Sequence, residues 1–316
     1  MKKLLLCALV VLMLVPLSVF AGGGRDQARP GQYRVAVALS PANNAWHIRM
    51  REVIDEAIAR HPDIHWNVQN ATDLHNQQHM LEVFRAGRYD VLIVIPMDGV
   101  LLSPIIEAIY NDGTRTIVLN RAIVGQNFNA FITGDNFGGG VNAARLLGER
   151  LGGQGNIAVL RSMTGTPIDM DRYLGFSTTL AREFPNIRVI AQADGEFNRE
   201  AGLRAMTSIL PAHPHIDAVF AQDDETALGA LVAIENAGRT DIRYITGFGG
   251  VRAAYDLLLA NNPRYLASMS YFPTMGFDAV EMAVRMLRGV PYPRNTVIVS
   301  EVVTAQNVRQ FLNDAY

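Results

Sequence analysis

Along most of this chain, short apolar runs rich in β-branched residues alternate with stretches whose apolar residues recur at helical spacing. The runs cover residues 34–39, 91–95, 116–119, 130–133, 156–160, 188–192, 218–221 and 244–248. Between them lie helical patterns such as Ile48, Val53, Ile54, Ala57, Ile58, and the stretches 80–86, 141–151, 173–184, 200–210, 226–237 and 253–259. Alternation of this kind builds strand–helix–strand units and parallel sheets. Strand runs that are apolar throughout are expected where helices cover both faces. There are too many strands for one comfortable sheet. A break falls in FITGDNFGGGVNAA, where glycines flank Asp135 and Asn136, and a weaker one lies at residues 268–273. The chain is therefore expected to be α/β, with two doubly wound, Rossmann-like parallel-sheet lobes joined by a hinge of three crossings. Residues 33–134 with 271–298 are assigned to the N-terminal lobe, and 135–270 with 299–316 to the C-terminal lobe.

The chain opens MKKLLLCALVVLMLVPLSVFA: a basic pair, an apolar stretch and a Val19-x-Ala21 pattern of small residues. That is the build of a secretory signal peptide, residues 1–21, followed by a linker over 22–32. An uncleaved membrane anchor is the alternative, because the apolar run is nearly long enough to span. Cys7, the chain's single cysteine, sits too early for a lipoprotein cleavage point. Cleavage after Ala21 leaves no thiol and no disulfide. The remaining stretch, about 295 residues, matches two domains of ordinary size. A formal charge of −2 and a pI near 6.4 leave no electrostatic footprint for nucleic acid.

In open α/β sheets, ligands sit beyond the carboxyl ends of the strands. The loops there hold Ser40, Asn43, Asn44, Trp46 and His47, then Pro96–Asp98, Asn120 and Arg121, and Asp135 and Asn136. The second half adds residues 164–172, 196–199, 222–225, 247–250 and Tyr271. Each has an ordinary explanation: Asn44 is a good helix cap, and Asp223 and Asp224 suit a helix N-terminus. The set as a whole suits a polyhydroxylated ligand. Hydroxyl edges call for planar, multidentate partners such as Arg, Asn and Asp, and C–H faces call for aromatic rings. Trp46, Phe197 and His47 supply rings; Arg121, Arg172, Asn120 and Asp223 supply the rest.

The stretch AHPHIDAVFAQDDETALGALVAIENAG, with IPMDGVLLSPII, VLNRA, ITGDNFGGG, GTPIDMDRYLGF, DGEFNREAGL and YITGFGG, resembles the periplasmic sugar-binding proteins of the ribose and galactose type. These are type I solute-binding proteins, the substrate-capture components of ABC importers. The likeness runs over about residues 33–303. It implies ligand contacts from Ser40, Asn44, Trp46 and His47 in the first loop, and from Asn120 and Arg121 where the family carries an Asp-Arg pair. It further implies Arg172 before the Gly-Phe helix, Phe197 as the second-lobe aromatic, Asp223 heading the next helix, and Tyr271 near the last hinge. The departures are specific. Ile95 stands where ribose binders place an Asn, and GFGG replaces GFDG, so Gly249 has no carboxylate to offer. Asn replaces Asp at 120, Asp replaces Asn at 223, and Tyr replaces Gln at 271. Losing partners for buried hydroxyls costs about 1–3 kcal/mol each, which argues against ribose itself.

The resemblance implies a periplasmic monomer that binds a small carbohydrate or polyol, needs no cofactor and delivers its ligand to an inner-membrane ABC permease. Presentation of ligand to a chemoreceptor or histidine kinase is the alternative, as is a non-sugar ligand such as a nucleoside. A repressor's sensor domain is disfavoured by the signal peptide and the lack of an N-terminal helix-turn-helix. No G-x-S-x-G, Walker or H-E-x-x-H motif marks an enzyme. Asp223-Asp224-Glu225 reads as helix-start acids, not as a glycosidase pair. His75 and His79, spaced i, i+4, lack a third ligand and read as a solvated helix face.

Overall fold

The computed structural model describes residues 32–316; the expected signal peptide and nearly all of the linker lie outside the described residues. The first lobe begins with β1 (Arg34–Leu39), α1 (Ala45–Ile58), β2 (His65–Asn70), α2 (Leu74–Gly87), β3 (Val91–Val94), α3 (Ser103–Asn111), β4 (Arg115–Leu119) and β5 (Ala130–Gly134). The chain then crosses into α4 (Asn136–Arg150), β6 (Gln154–Arg161), α5 (Pro167–Glu183), β7 (Asn186–Asp194), α6 (Arg199–Ile209) and β8 (Ala218–Ala221). There follow α7 (Asp224–Asn236), β9 (Tyr244–Gly249), α8 (Arg252–Leu259), β10 (Tyr265–Ser270), α9 (Met275–Leu287), β11 (Asn295–Ile298) and β12 (Val302–Val303). A short 3-10 helix, Val308–Phe311, precedes the end of the chain.

Two six-stranded sheets result, in the orders β11-β5-β4-β3-β1-β2 and β12-β10-β9-β8-β6-β7. All pairings are parallel except β10 with β12. The chain changes sheets after β5, between β10 and β11, and between β11 and β12. β1, β3 and β8 are buried almost throughout, because helices cover both faces. One apolar cluster runs from Val35 and Ile93 in the first sheet to Phe220, Phe248 and Met269 in the second, so the two lobes share packing at their junction. The outer faces form separate clusters, around Leu81 and Ile106 on one side and Met206 and Tyr255 on the other.

Six elements depart from the pattern read in the sequence, the short strands β11 and β12 among them. β2 reads HWNVQN and is half-buried at an edge, so it lacks an apolar run. β10 occupies the region read as a weak break, with Ser268 and Ser270 buried inside it. α3 and α9 also went unread. α9 is buried on most of its surface, packed against α1 and the first sheet, with Asp278, Glu281 and Arg285 forming a narrow polar stripe at helical spacing.

Candidate functional site

The strand ends of both sheets meet at one cleft of about 610 Å³, counting its open mouth. Its wall contains Asn44, Trp46, His47, Asn120, Arg121, Arg172, Phe197, Asp223 and Tyr271, joined by Ala45, Ile168, Glu225, Phe248, Gly249, Val251 and Tyr316.

Residues 40–44 carry the chain from β1 into α1. Asn44 has extended backbone and caps α1, its Oδ1 accepting the His47 backbone N–H at 2.9 Å. The His47 ring Nδ1 lies 3.0 Å from the same oxygen. An amide oxygen can only accept, so Nδ1 carries the proton and Nε2 is left as an acceptor. Nε2 is buried and finds no partner among the described residues. Burial first, then the charge of Arg121, holds the imidazole down at about 3, so it stays neutral at ordinary pH. Trp46 lies edge-on to His47 at 5.0 Å and donates its indole N–H to the Tyr271 carbonyl at 3.0 Å.

Ser40 does not join the wall. It is buried, its hydroxyl donates to the Ile95 carbonyl at 3.2 Å, and its own carbonyl accepts from Asn70 at 3.0 Å. It ties β1 to its neighbours. That is the one expected contact residue the geometry leaves outside the cleft.

Tyr271 joins the lobes. Its hydroxyl donates to Asn120 Oδ1 at 2.6 Å and receives a longer contact, 3.4 Å, from Asn136 Nδ2. Its ring lies 6.2 Å from Trp46 and 6.0 Å from Phe248. Asn120 turns with φ 68°, a left-handed conformation that Asn tolerates better than most residues. Arg172 enters from α5 and is only 3% exposed. Its Nε donates to Asn136 Oδ1 at 2.9 Å, and its NH1 group to the Gln222 carbonyl. Its guanidinium stacks 3.7 Å from the Phe248 ring centre and 4.8 Å from that of Tyr271. Gln222 is fixed in turn by Ser162 and by the Asp169 carbonyl.

Phe197 reaches the cleft from a left-handed pair, Glu196 at φ 51° and Phe197 at φ 54°. Backbone of this kind in a non-glycine costs energy and tends to cluster at ligand sites. Asp223 caps α7, accepting the Glu225 and Thr226 N–H groups at 2.9 and 3.3 Å. Burial, reinforced by neighbouring Asp224, pushes its carboxyl up to about 7, against the pull of Arg172. Asp224 is turned away and saturated by Ser268, Tyr265 and the N–H groups of Gly250 and Val251.

Four contributors were not among the expected contacts, and Phe248 at the end of β9 is one of them. Asn136 and Gln222 stand in loops that were flagged, but their roles depend on where Arg172 comes to rest. Tyr316 lies far in sequence from every strand end. Its backbone pairs with Gly250 and Arg252, at 3.2 and 2.7 Å, which lays its side chain against Gly249. A Cβ added at Gly249 would lie 2.7 Å from the Tyr316 hydroxyl. The missing carboxylate at 249 is therefore matched by a phenol from elsewhere in the chain.

Two doubly wound lobes around a cleft of rings and planar polar groups define a solute-binding architecture. The chain matches the periplasmic binding protein domain family over residues 35–291 and belongs to it. The ribose import binding protein of Bacillus subtilis is 27% identical to it over 82% of this chain and 83% of that protein. An ABC transporter solute-binding protein from Bacillus halodurans, solved with myo-inositol bound, superposes with a TM-score of 0.84 at 25% identity, covering 91% of this chain and all of that one. The fructose-binding periplasmic domain of a hybrid two-component system superposes with a TM-score of 0.82 at 28% identity, covering 89% and 94%.

Proposed function

We propose that this protein captures a sugar or sugar-like polyol between its lobes in the periplasm and delivers it to an ABC permease. The observation that carries this reading is the wall itself: Trp46, Phe197, Phe248 and Tyr271 offer ring faces, while Asn44, Asn120, Arg121, Arg172 and Asp223 offer planar hydrogen-bonding edges. Few ligands other than polyols use both. The two lobes hinge at their crossings, and ligand favours the closed form through contacts it makes only there. His47 Nε2 accepts a ligand hydroxyl, and Asp223 accepts another beside Arg172. We propose binding without turnover, so aryl glycosides should release no aglycone.

The test is a thermal-shift panel of pentoses, hexoses, furanose-forming sugars, inositols and linear polyols. A ligand at one hundred times its Kd should stabilise the native state by about 2.7 kcal/mol. No response to any polyol, with a response to nucleosides, would sink the reading. A sensing role is the second reading, favoured by the likeness to the two-component fructose-binding domain. Uptake lost on deletion of an adjacent permease, with unchanged transcription of ligand-responsive genes, would decide for transport.

A further inference from the structure

The cleft wall carries two guanidinium groups, neither of which is in an ion pair among the described residues. They belong to Arg121 and Arg172. Of the two lining carboxylates, Glu225 is held by Arg199 from outside at 2.8 Å, which neutralises it. Behind the wall, Asp224 is buried with both oxygens held by neutral donors, and Asp98 acts on Arg121 from outside the wall, its Oδ1 taken up by the Val100 and Leu101 N–H groups. In the wall itself, two guanidinium groups therefore face one carboxylate without an ion pair, Asp223.

The two arginines are held differently. Arg172 is fixed by Asn136, by Gln222 and by its stacking on Phe248. Arg121 makes one hydrogen bond among the described residues, from NH1 to the Met97 carbonyl at 3.0 Å. The rest of its five-donor fork has no carboxylate to meet. Residue 120 beside it is an amide whose oxygen already accepts the Tyr271 hydroxyl. Across the cleft, residue 249 is glycine, and the neutral Tyr316 phenol fills its space. The α1 N-terminus, with Ala45 in the wall, adds a further positive end.

An unmatched, largely desolvated guanidinium in a closing cleft is best served by a planar anion. Resting on the reading of the cleft as a polyol site, we infer that the ligand is a sugar acid: a monocarboxylate of the aldonate or uronate class, its carboxylate gripped by Arg121. A single fork with free donors seats one carboxylate, hence a monocarboxylate. The hydroxyls fall to His47 Nε2, Asp223 and the Tyr316 phenol.

The experiment is calorimetry on matched pairs that differ only in the acid group: galactose with galacturonate, glucose with glucuronate, sorbitol with gluconate, and glucose with glucose 6-phosphate. The expected result is that one carboxylate binds at least about tenfold tighter than its neutral partner, a difference of about 1.4 kcal/mol. Asn120→Asp keeps the acceptor for Tyr271 and restores a carboxylate beside Arg121, so it should erase that preference. Arg121→Gln should erase it as well, giving a second test if the first variant folds poorly. Neutral members binding as tightly as their acids, or the phosphate binding tightest, overturns this inference and leaves the polyol reading standing. No binding in any pair overturns both.

Discussion

Replacing Tyr271 by Phe removes one oxygen from the junction between the lobes and leaves the ring in place. Contacts with Trp46, Phe248 and the Arg172 guanidinium depend on the ring and survive. The loss is the 2.6 Å bond to Asn120 Oδ1. Asn136 loses little, since its contact is 3.4 Å long and it still serves Gly134 and Arg172. Asn120 is 5% exposed, so water cannot readily replace the phenol at its oxygen. An orphaned buried acceptor costs about 1–3 kcal/mol, which for a chain of this size lowers Tm by at least about 2 °C. The assay is urea unfolding followed by both tryptophan emission and circular dichroism, whose transitions must coincide for a two-state fit. A loss below about 0.5 kcal/mol with an unchanged m value, the range of an ordinary surface substitution, would refute the claim that this hydroxyl ties the lobes.

Asp223 should make stability pH-dependent. Its native carboxyl titrates at about 7, against about 3.9 unfolded. Between those values the native state holds a proton that the unfolded state has lost, so stability falls as pH rises from about 4 to about 7. Asp223→Asn should flatten that slope in Tm measured against pH; an identical slope would show that the carboxyl does not sense burial. Trp46 lies in the cleft wall, whereas the other tryptophan, Trp66, donates to His61 on β2's side of the first lobe. Ligand should therefore shift emission in the wild type, and Trp46→Phe should lose most of that change. Gly249→Ala should destabilise by about 1–3 kcal/mol, combining φ 146° with a clash at the Tyr316 hydroxyl. Tyr316→Ala should recover the clash component, as a double-mutant cycle would reveal.

The alternation of strands and helices was legible because period and burial are local properties: β1 and β8 fall where their apolar runs lie. The same logic failed where burial did not follow the local rule. β2 is a polar edge strand, and β10 buries Ser268 and Ser270. The loops that face the cleft were also legible, since strand ends in a doubly wound sheet point one way. Which side chains reach the wall was another matter. Ser40 sits at a strand end, yet its hydroxyl turns inward to Ile95. Asn120 and Gly249 are sequence changes whose sense emerges only when Tyr271 is found bonded to one and Tyr316 packed on the other. Side-chain identity and spacing encode the elements and the end of the sheet where function gathers. Which donors and acceptors of the cleft stay free depends on contacts such as that of Tyr271 with Asn120, 151 residues apart in the chain, and only folding decides it.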